Sequence, residues 1–126
     1  MRCAMLVEEH AAFRQAVAYL LARDLEVALV EEASTVAEAR AIALENPGVI
    51  DVVVSELSLP DGDATDFLVA LRETEADVPV LVLTFRGDRP SHERALELGA
   101  ERVMSKDAPV GEIFAAIRGF GDLEDD

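Results

Sequence analysis

Cysteine is nearly absent from this sequence. The one present, Cys3, lies in an apolar strand-like stretch, so a disulfide framework is excluded and the residue reads as a small core side chain. The simplest compartment is a reducing cytoplasm. Positive charge is scarce too: 11 lysines and arginines stand against 26 aspartates and glutamates, a formal net charge of −15. Such a surface repels phosphate backbones and anionic lipid, so direct binding to nucleic acid or membrane is not expected. A divalent cation or a basic protein patch would be attracted. No apolar run is long enough to span a bilayer. The opening Met1-Arg2-Cys3-Ala4-Met5-Leu6-Val7-Glu8-Glu9 turns acidic too early for a secretory signal. Linkers, repeats and low-complexity stretches are lacking. So are a Gly-rich phosphate loop, a nucleophile elbow and zinc-ligand spacing, and neither His10 nor His92 has metal-binding company.

What remains is a chain of 126 residues, 51% hydrophobic, enough for one domain with a real core. Apolar strands alternate with amphipathic helices. Strands are expected over Arg2–Val7, Leu25–Val30, Val49–Ser55, Val80–Thr84 and Arg102–Ser105. The first expected helix, His10–Ala22, carries Phe13, Val17, Leu20 and Leu21 at helical spacing. The second, Val36–Glu45, starts after Ser34 as N-cap and is stopped by Asn46-Pro47-Gly48. Asp63 caps the third, whose inner face is Phe67, Leu68 and Leu71. The fourth opens at Pro90 and ends at Gly99, and the fifth runs from Pro109 to about Phe120 with Ile113, Phe114 and Ile117 inward. Residues 1–120 form the expected domain, and Gly121–Asp126 an acidic, frayed tail. Five strands alternating with five helices imply a parallel sheet covered on both faces.

The most telling stretch is Asp51-Val52-Val53-Val54-Ser55-Glu56. A buried β-branched strand ends on a carboxylate, and Pro60-Asp61-Gly62 then turns the chain. Ligands in open parallel sheets sit beyond the carboxyl ends of the strands. There this sequence places Glu8 and Glu9, Glu56, Thr84 and Lys106. In a 2-1-3-4-5 strand order these residues converge on one shallow pocket. Three carboxylates, a hydroxyl and an ammonium suit a magnesium ion and a phosphoryl group.

From Arg2 to about Phe120 the chain resembles the receiver domain of two-component response regulators. The resemblance rests on Leu6-Val7-Glu8-Glu9-His10, on Asp51–Leu57 followed by Ser58-Leu59-Pro60-Asp61-Gly62, on Val80-Leu81-Val82-Leu83-Thr84, on Ala95-Leu96-Glu97-Leu98-Gly99-Ala100, and on Ser105-Lys106-Asp107-Ala108. It implies a flavodoxin-like, doubly wound (βα)5 fold. The wording is closest to receivers that precede a helix-turn-helix output domain, and no such domain is expected within these residues. The resemblance makes Glu8 and Glu9 the acidic pair that helps bind magnesium, with Glu56 and the Ser58 backbone carbonyl as further ligands if the metal is bound. It makes Glu56 the counterpart of the phosphoryl-accepting aspartate, Thr84 the phosphoryl-contacting hydroxyl and Lys106 its lysine partner. Val103 stands where the family carries an aromatic rotameric switch.

Two of those positions depart from the family. Glutamate at 56 carries its carboxylate one methylene further, into the space a phosphoryl group would fill, and the added torsion loosens its aim. Valine at 103 cannot swing as a ring does. The expectation is therefore a non-enzymatic pseudo-receiver. It is not phosphorylated at Glu56, which instead reaches toward Lys106 and Thr84, and it acts by binding protein partners such as a histidine kinase or other regulators. Homodimerisation through the Thr84-to-Phe120 face is included, with Val110, Phe114 and Phe120 offering apolar contacts and Phe85 covering the pocket. Blander readings stand beside it: Glu56 as a purely structural partner of Lys106, Glu8 and Glu9 as solvated helix-opening acids, Thr84 as a strand residue, Lys106 as a surface lysine. A conventional phosphoryl-accepting receiver is the second functional reading. A small magnesium-dependent phosphohydrolase is a distant third.

Overall fold

The structure, a computed structural model, describes residues 2–45, 48–74 and 77–124, with side chains as far as residue 120. Its elements run β1 (Cys3–Val7), α1 (Ala11–Asp24), β2 (Leu29–Ala33), α2 (Val36–Glu45), β3 (Val52–Ser55), β4 (Ser58–Leu59), β5 (Gly62–Asp63), α3 (Thr65–Thr74), β6 (Val80–Thr84), α4 (Arg89–Glu97), β7 (Arg102–Ser105) and α5 (Val110–Glu124). Five strands pair in parallel in the order β2-β1-β3-β6-β7, the doubly wound order expected. The small β4 and β5 form a separate antiparallel hairpin at Pro60-Asp61, which periodicity alone expects only as a turn.

The period-two alternation of the strands sorts their side chains onto two cores. Cys3, Met5 and Val7 join Val53, Val80 and Val82 against Ala39 and Ala43 of α2, Phe67, Leu68 and Leu71 of α3, and Ala95 of α4. Ala4 and Leu6 join Val52, Val54, Leu81 and Leu83 against Val17 and Leu21 of α1 and Ile113, Phe114 and Ile117 of α5. Central strands wrapped on both faces must be apolar throughout, and β1 and β6 are buried at every residue.

Several boundaries shift. The second strand is Leu29–Ala33, not Leu25–Val30. Leu25 caps α1 through its N–H to the Leu21 carbonyl, 3.1 Å, and Glu26 takes a positive φ of 55°, so residues 25–28 turn before the strand starts. Val27 is nonetheless buried under α1, which is why its hydrophobicity resembles that of a strand. Glu31 and Glu32 fit β2 because it is the sheet edge. The cap of α2 is Thr35 rather than Ser34: Thr35 Oγ1 accepts from the Glu38 N–H at 3.0 Å. Asp61, from the distant hairpin, adds a second cap by accepting from the Val36 and Ala37 N–H groups at 2.8 and 3.0 Å. The last helix continues to Glu124 where a frayed tail was expected from residue 121; Asp125 and Asp126 lie outside the described residues, as do Asn46 and Pro47 of the expected stop after α2.

At the opposite rim, Arg72 of α3 donates to the carbonyls of Val78 and Gly99, both at 2.8 Å, holding the α3–β6 and α4–β7 connections together. Gly99 has a φ of +100°, and a Cβ there would lie 2.5 Å from Arg72 Nε. The glycine that ends the fourth helix is thus also the only residue small enough for the clamp.

Candidate functional site

Strand register builds the site. Val7 of β1 pairs with Ser55 of β3, so the next residues, Glu8 and Glu56, emerge side by side at the point where the winding reverses. Thr84 of β6 pairs with Ser105 of β7, and Lys106 follows one residue on. The ladder extends past the strand ends through Glu8 N–H to the Ala33 carbonyl and Glu56 N–H to the Val7 carbonyl, both 2.9 Å. These bonds fix the backbone on which both carboxylates stand.

Lys106 Nζ lies 2.6 Å from Glu8 Oε1 and 3.0 Å from Glu56 Oε1. The lysine and Glu8 side chains are each 3% exposed and that of Glu56 10%, so this is a buried triad rather than a surface contact. The other oxygens are engaged as well. Glu8 Oε2 accepts from the His10 backbone N–H and pairs with His10 Nδ1, both at 3.0 Å; Glu56 Oε2 accepts from the Leu57 N–H. Burial disfavours the Glu8 carboxylate, yet hydrogen bonds from Lys106 and His10 outweigh it and hold its pKa below the ordinary value. Burial likewise works against the Lys106 ammonium, and its bonds to Glu8 and Glu56 raise its pKa regardless. The ammonium also lies 5.1 Å from the Phe13 ring centroid and 5.5 Å from that of Phe85.

The expected convergence holds for Glu8, Glu56 and Lys106. Lys106 is no surface lysine, and Glu8 is no solvated acid. Thr84 sits buried at the neighbouring strand end, but its hydroxyl accepts from the Arg86 N–H at 3.0 Å, and among the described residues it forms no hydrogen bond to Glu56. Glu9 is exposed and joins none of these ion pairs. Ser58 is exposed on β4. Val103, half-buried on β7, packs against the α2–α3 core and fills its place without a ring to move. Phe85 is 66% exposed while its ring lies over the ammonium, a partial cover. On the expected docking face Phe114 is buried and Phe120 packs against the core, because both lie on the inward stripe of α5; Val110 alone of the three is open.

Two contributors went unread in the sequence. Phe13 looks like a member of the α1 core stripe, yet the first turn of α1 hangs over the strand ends and brings the ring to Lys106. Arg86 joins the hairpin to α4, contacting Asp63 at 3.1 Å and Asp88 at 2.8 Å. Asp88 in turn caps α4 through the Ser91 N–H, and its hydrogen bonds from the Ser91 hydroxyl and Arg86 pull its pKa down to about 2. The Arg86–Asp63 contact is visible only once the end of β6 is known to lie beside the β4–β5 hairpin.

Magnesium, which the resemblance implies, needs several oxygen donors in near-octahedral array around one point. Glu8 and Glu56 are bridged by an ammonium instead, so as arranged these residues do not fit the ion. Among the described residues no helix is long and apolar enough to cross a membrane.

Residues 4–118 match the family model described as the response regulator receiver domain. Among curated proteins, the chain is 40% identical over 68 residues to the KDP operon transcriptional regulatory protein KdpE of Escherichia coli, covering 54% of this chain and 30% of KdpE. It is 35% identical over 94 residues to the photosynthetic apparatus regulatory protein RegA of Cereibacter sphaeroides, covering 75% of this chain and 50% of RegA. The chain thus spans half or less of the length of these relatives. Among solved structures, the non-phosphorylated HemR receiver domain from Leptospira biflexa is 29% identical with a TM-score of 0.82, covering 95% of this chain and 94% of that one.

Proposed function

The chain belongs to the family of response regulator receiver domains, and from that membership in two-component signalling we propose that it is a pseudo-receiver. In this reading Glu56 does not accept a phosphoryl group, and the domain works as a phosphorylation-independent module that binds proteins. One observation carries the reading. The carboxylate at the acceptor-equivalent position is already held by Lys106 at 3.0 Å and by the Leu57 N–H, and the lysine that would steady an incoming phosphoryl group is spent on Glu8 and Glu56. Phosphoryl transfer rests on an in-line nucleophile with open space before it, and this one points into an occupied pocket. Glu56 carries one negative charge where a phosphorylated side chain carries nearly two, so it imitates the activated state weakly.

Its partners in this reading are histidine kinases or other regulators. The surface offered is the Thr84-to-Phe120 face, where Phe85, Leu96 and Val110 are exposed, and self-association through that face is included. The beryllofluoride-activated NtrC4 receiver domain, 22% identical with a TM-score of 0.84, is described as a dimer.

Treatment with acetyl phosphate and magnesium, read by intact mass, is expected to leave the chain unmodified. An adduct mapped to Glu56 would establish the conventional phosphoryl-accepting reading in its place.

A further inference from the structure

We infer that Lys106 is the resident cation of this pocket and that the pocket therefore excludes magnesium. The inference deepens the pseudo-receiver reading, resting on it for the identity of the pocket as the receiver site, but concerns a different ligand. All four oxygens of the two buried carboxylates already have donors: Lys106 on one oxygen of each, His10 on the second of Glu8, the Leu57 N–H on the second of Glu56. A magnesium ion binds oxygen at about 2.0–2.1 Å, demands octahedral order and keeps several of its waters. To enter, it would have to take those oxygens from the ammonium and find room for its waters beside a lysine side chain that is 3% exposed. The displaced ammonium would lose two carboxylates together with the Phe13 and Phe85 rings that flank it at 5.1 and 5.5 Å. No other acid in the arrangement offsets that loss, since Glu9 is exposed and outside the triad. The cation that would otherwise have to be recruited from solution is built into the chain.

The test uses the whole chain, labelled for amide spectra, without any phosphoryl donor. Manganese is titrated as a paramagnetic probe and magnesium as the diamagnetic control. For the unaltered protein, broadening is expected to follow the exposed acidic surface, with the amides of Glu8, Glu56 and Ser58 not lost first. Selective loss at those three would overturn the inference. Lys106→Ala opens a water-accessible gap between the carboxylates. It should show that selective loss, and its folded-to-unfolded ratio should rise about tenfold when magnesium stands at ten times its dissociation constant, against potassium chloride of equal ionic strength. If the variant is largely unfolded without metal, the same ratio is read as recovery of folded protein. An alanine variant indifferent to both metals would also overturn the inference, since the ammonium would then not be what excludes them. Phosphorylation of Glu56 by acetyl phosphate, with acetate released, in a protein that ignores metal would sink the pseudo-receiver reading alone. Metal binding without any adduct would do the reverse.

Discussion

A buried ammonium between two carboxylates draws its stability from completeness. Each ion gives up water on entering the pocket, and only the full set of partners offsets that cost. Lys106→Met keeps most of the apolar stem but, ending one atom short and uncharged, leaves Glu8 and Glu56 without the ammonium between them. It is expected to cost about 3–5 kcal/mol, read by urea or thermal unfolding; a loss below about 1 kcal/mol would mean the carboxylates are relieved by solvent. The same triad sets a pH window. The Glu8 pKa is depressed in the folded state, so its contribution is full above the unfolded value of about 4.3 and fades as pH falls through the lower folded value. The Lys106 pKa is raised, so its contribution is full below about 10.4 and fades as pH climbs through the higher folded value. Melting temperatures should form a plateau between those limits, with shoulders that Lys106→Met flattens. Identical profiles for the two proteins would show that the triad contributes nothing. The pairing itself was legible from sequence, because carboxylate and lysine sit at known offsets from strand ends. That it is a closed triad was not, because the Glu9 and Thr84 side chains turn away through local geometry that no spacing encodes.

At the scale of elements, short connections do the positioning. Asp61 lies on the hairpin directly after the site and caps α2, 25 residues earlier in the chain, through two first-turn N–H groups. Its hydrogen bonds from Val36 and Ala37 hold its pKa below the ordinary aspartate value. Asp61→Ala should lower the melting temperature, as loss of an N-cap does, and should speed amide exchange at Val36 and Ala37 ahead of the rest of α2. Unchanged exchange there would show that Thr35 suffices alone. Strands β6 and β7 could be read to the residue: β6 is a buried apolar run set off by Pro79, and β7, although an edge strand, follows closely on the Gly99 stop and ends before Lys106. Strand β2 could not. It is an edge, where glutamates are tolerated, and the apolar residues before it belong to a turn beneath α1. The Asp61 cap escaped because its partner lies 25 residues away in the chain; the β4–β5 hairpin escaped because its two-residue strands are too short to carry an alternation.

For the molecule as a whole, the net charge of −15 and the buried triad respond differently to salt. Exposed like charges repel one another over distances that ions screen, and the Debye length shrinks from roughly 30 Å at 0.01 M to roughly 3 Å at 1 M salt. The melting temperature should therefore rise with sodium chloride, while the difference between the unaltered protein and Lys106→Met stays nearly constant. A difference that collapses with salt would mean the triad is open to solvent. The fold as a whole was legible because alternation of strands and helices admits few windings.

That winding has a consequence for a chain still being made. Glu8 and Glu56 are neighbours as soon as the third strand docks, whereas the lysine that neutralises them arrives some fifty residues later, after the last strand. A nascent or truncated product that stops short of residue 106 therefore lacks the cation that neutralises this pair, and the site is complete only when the final edge strand is in place.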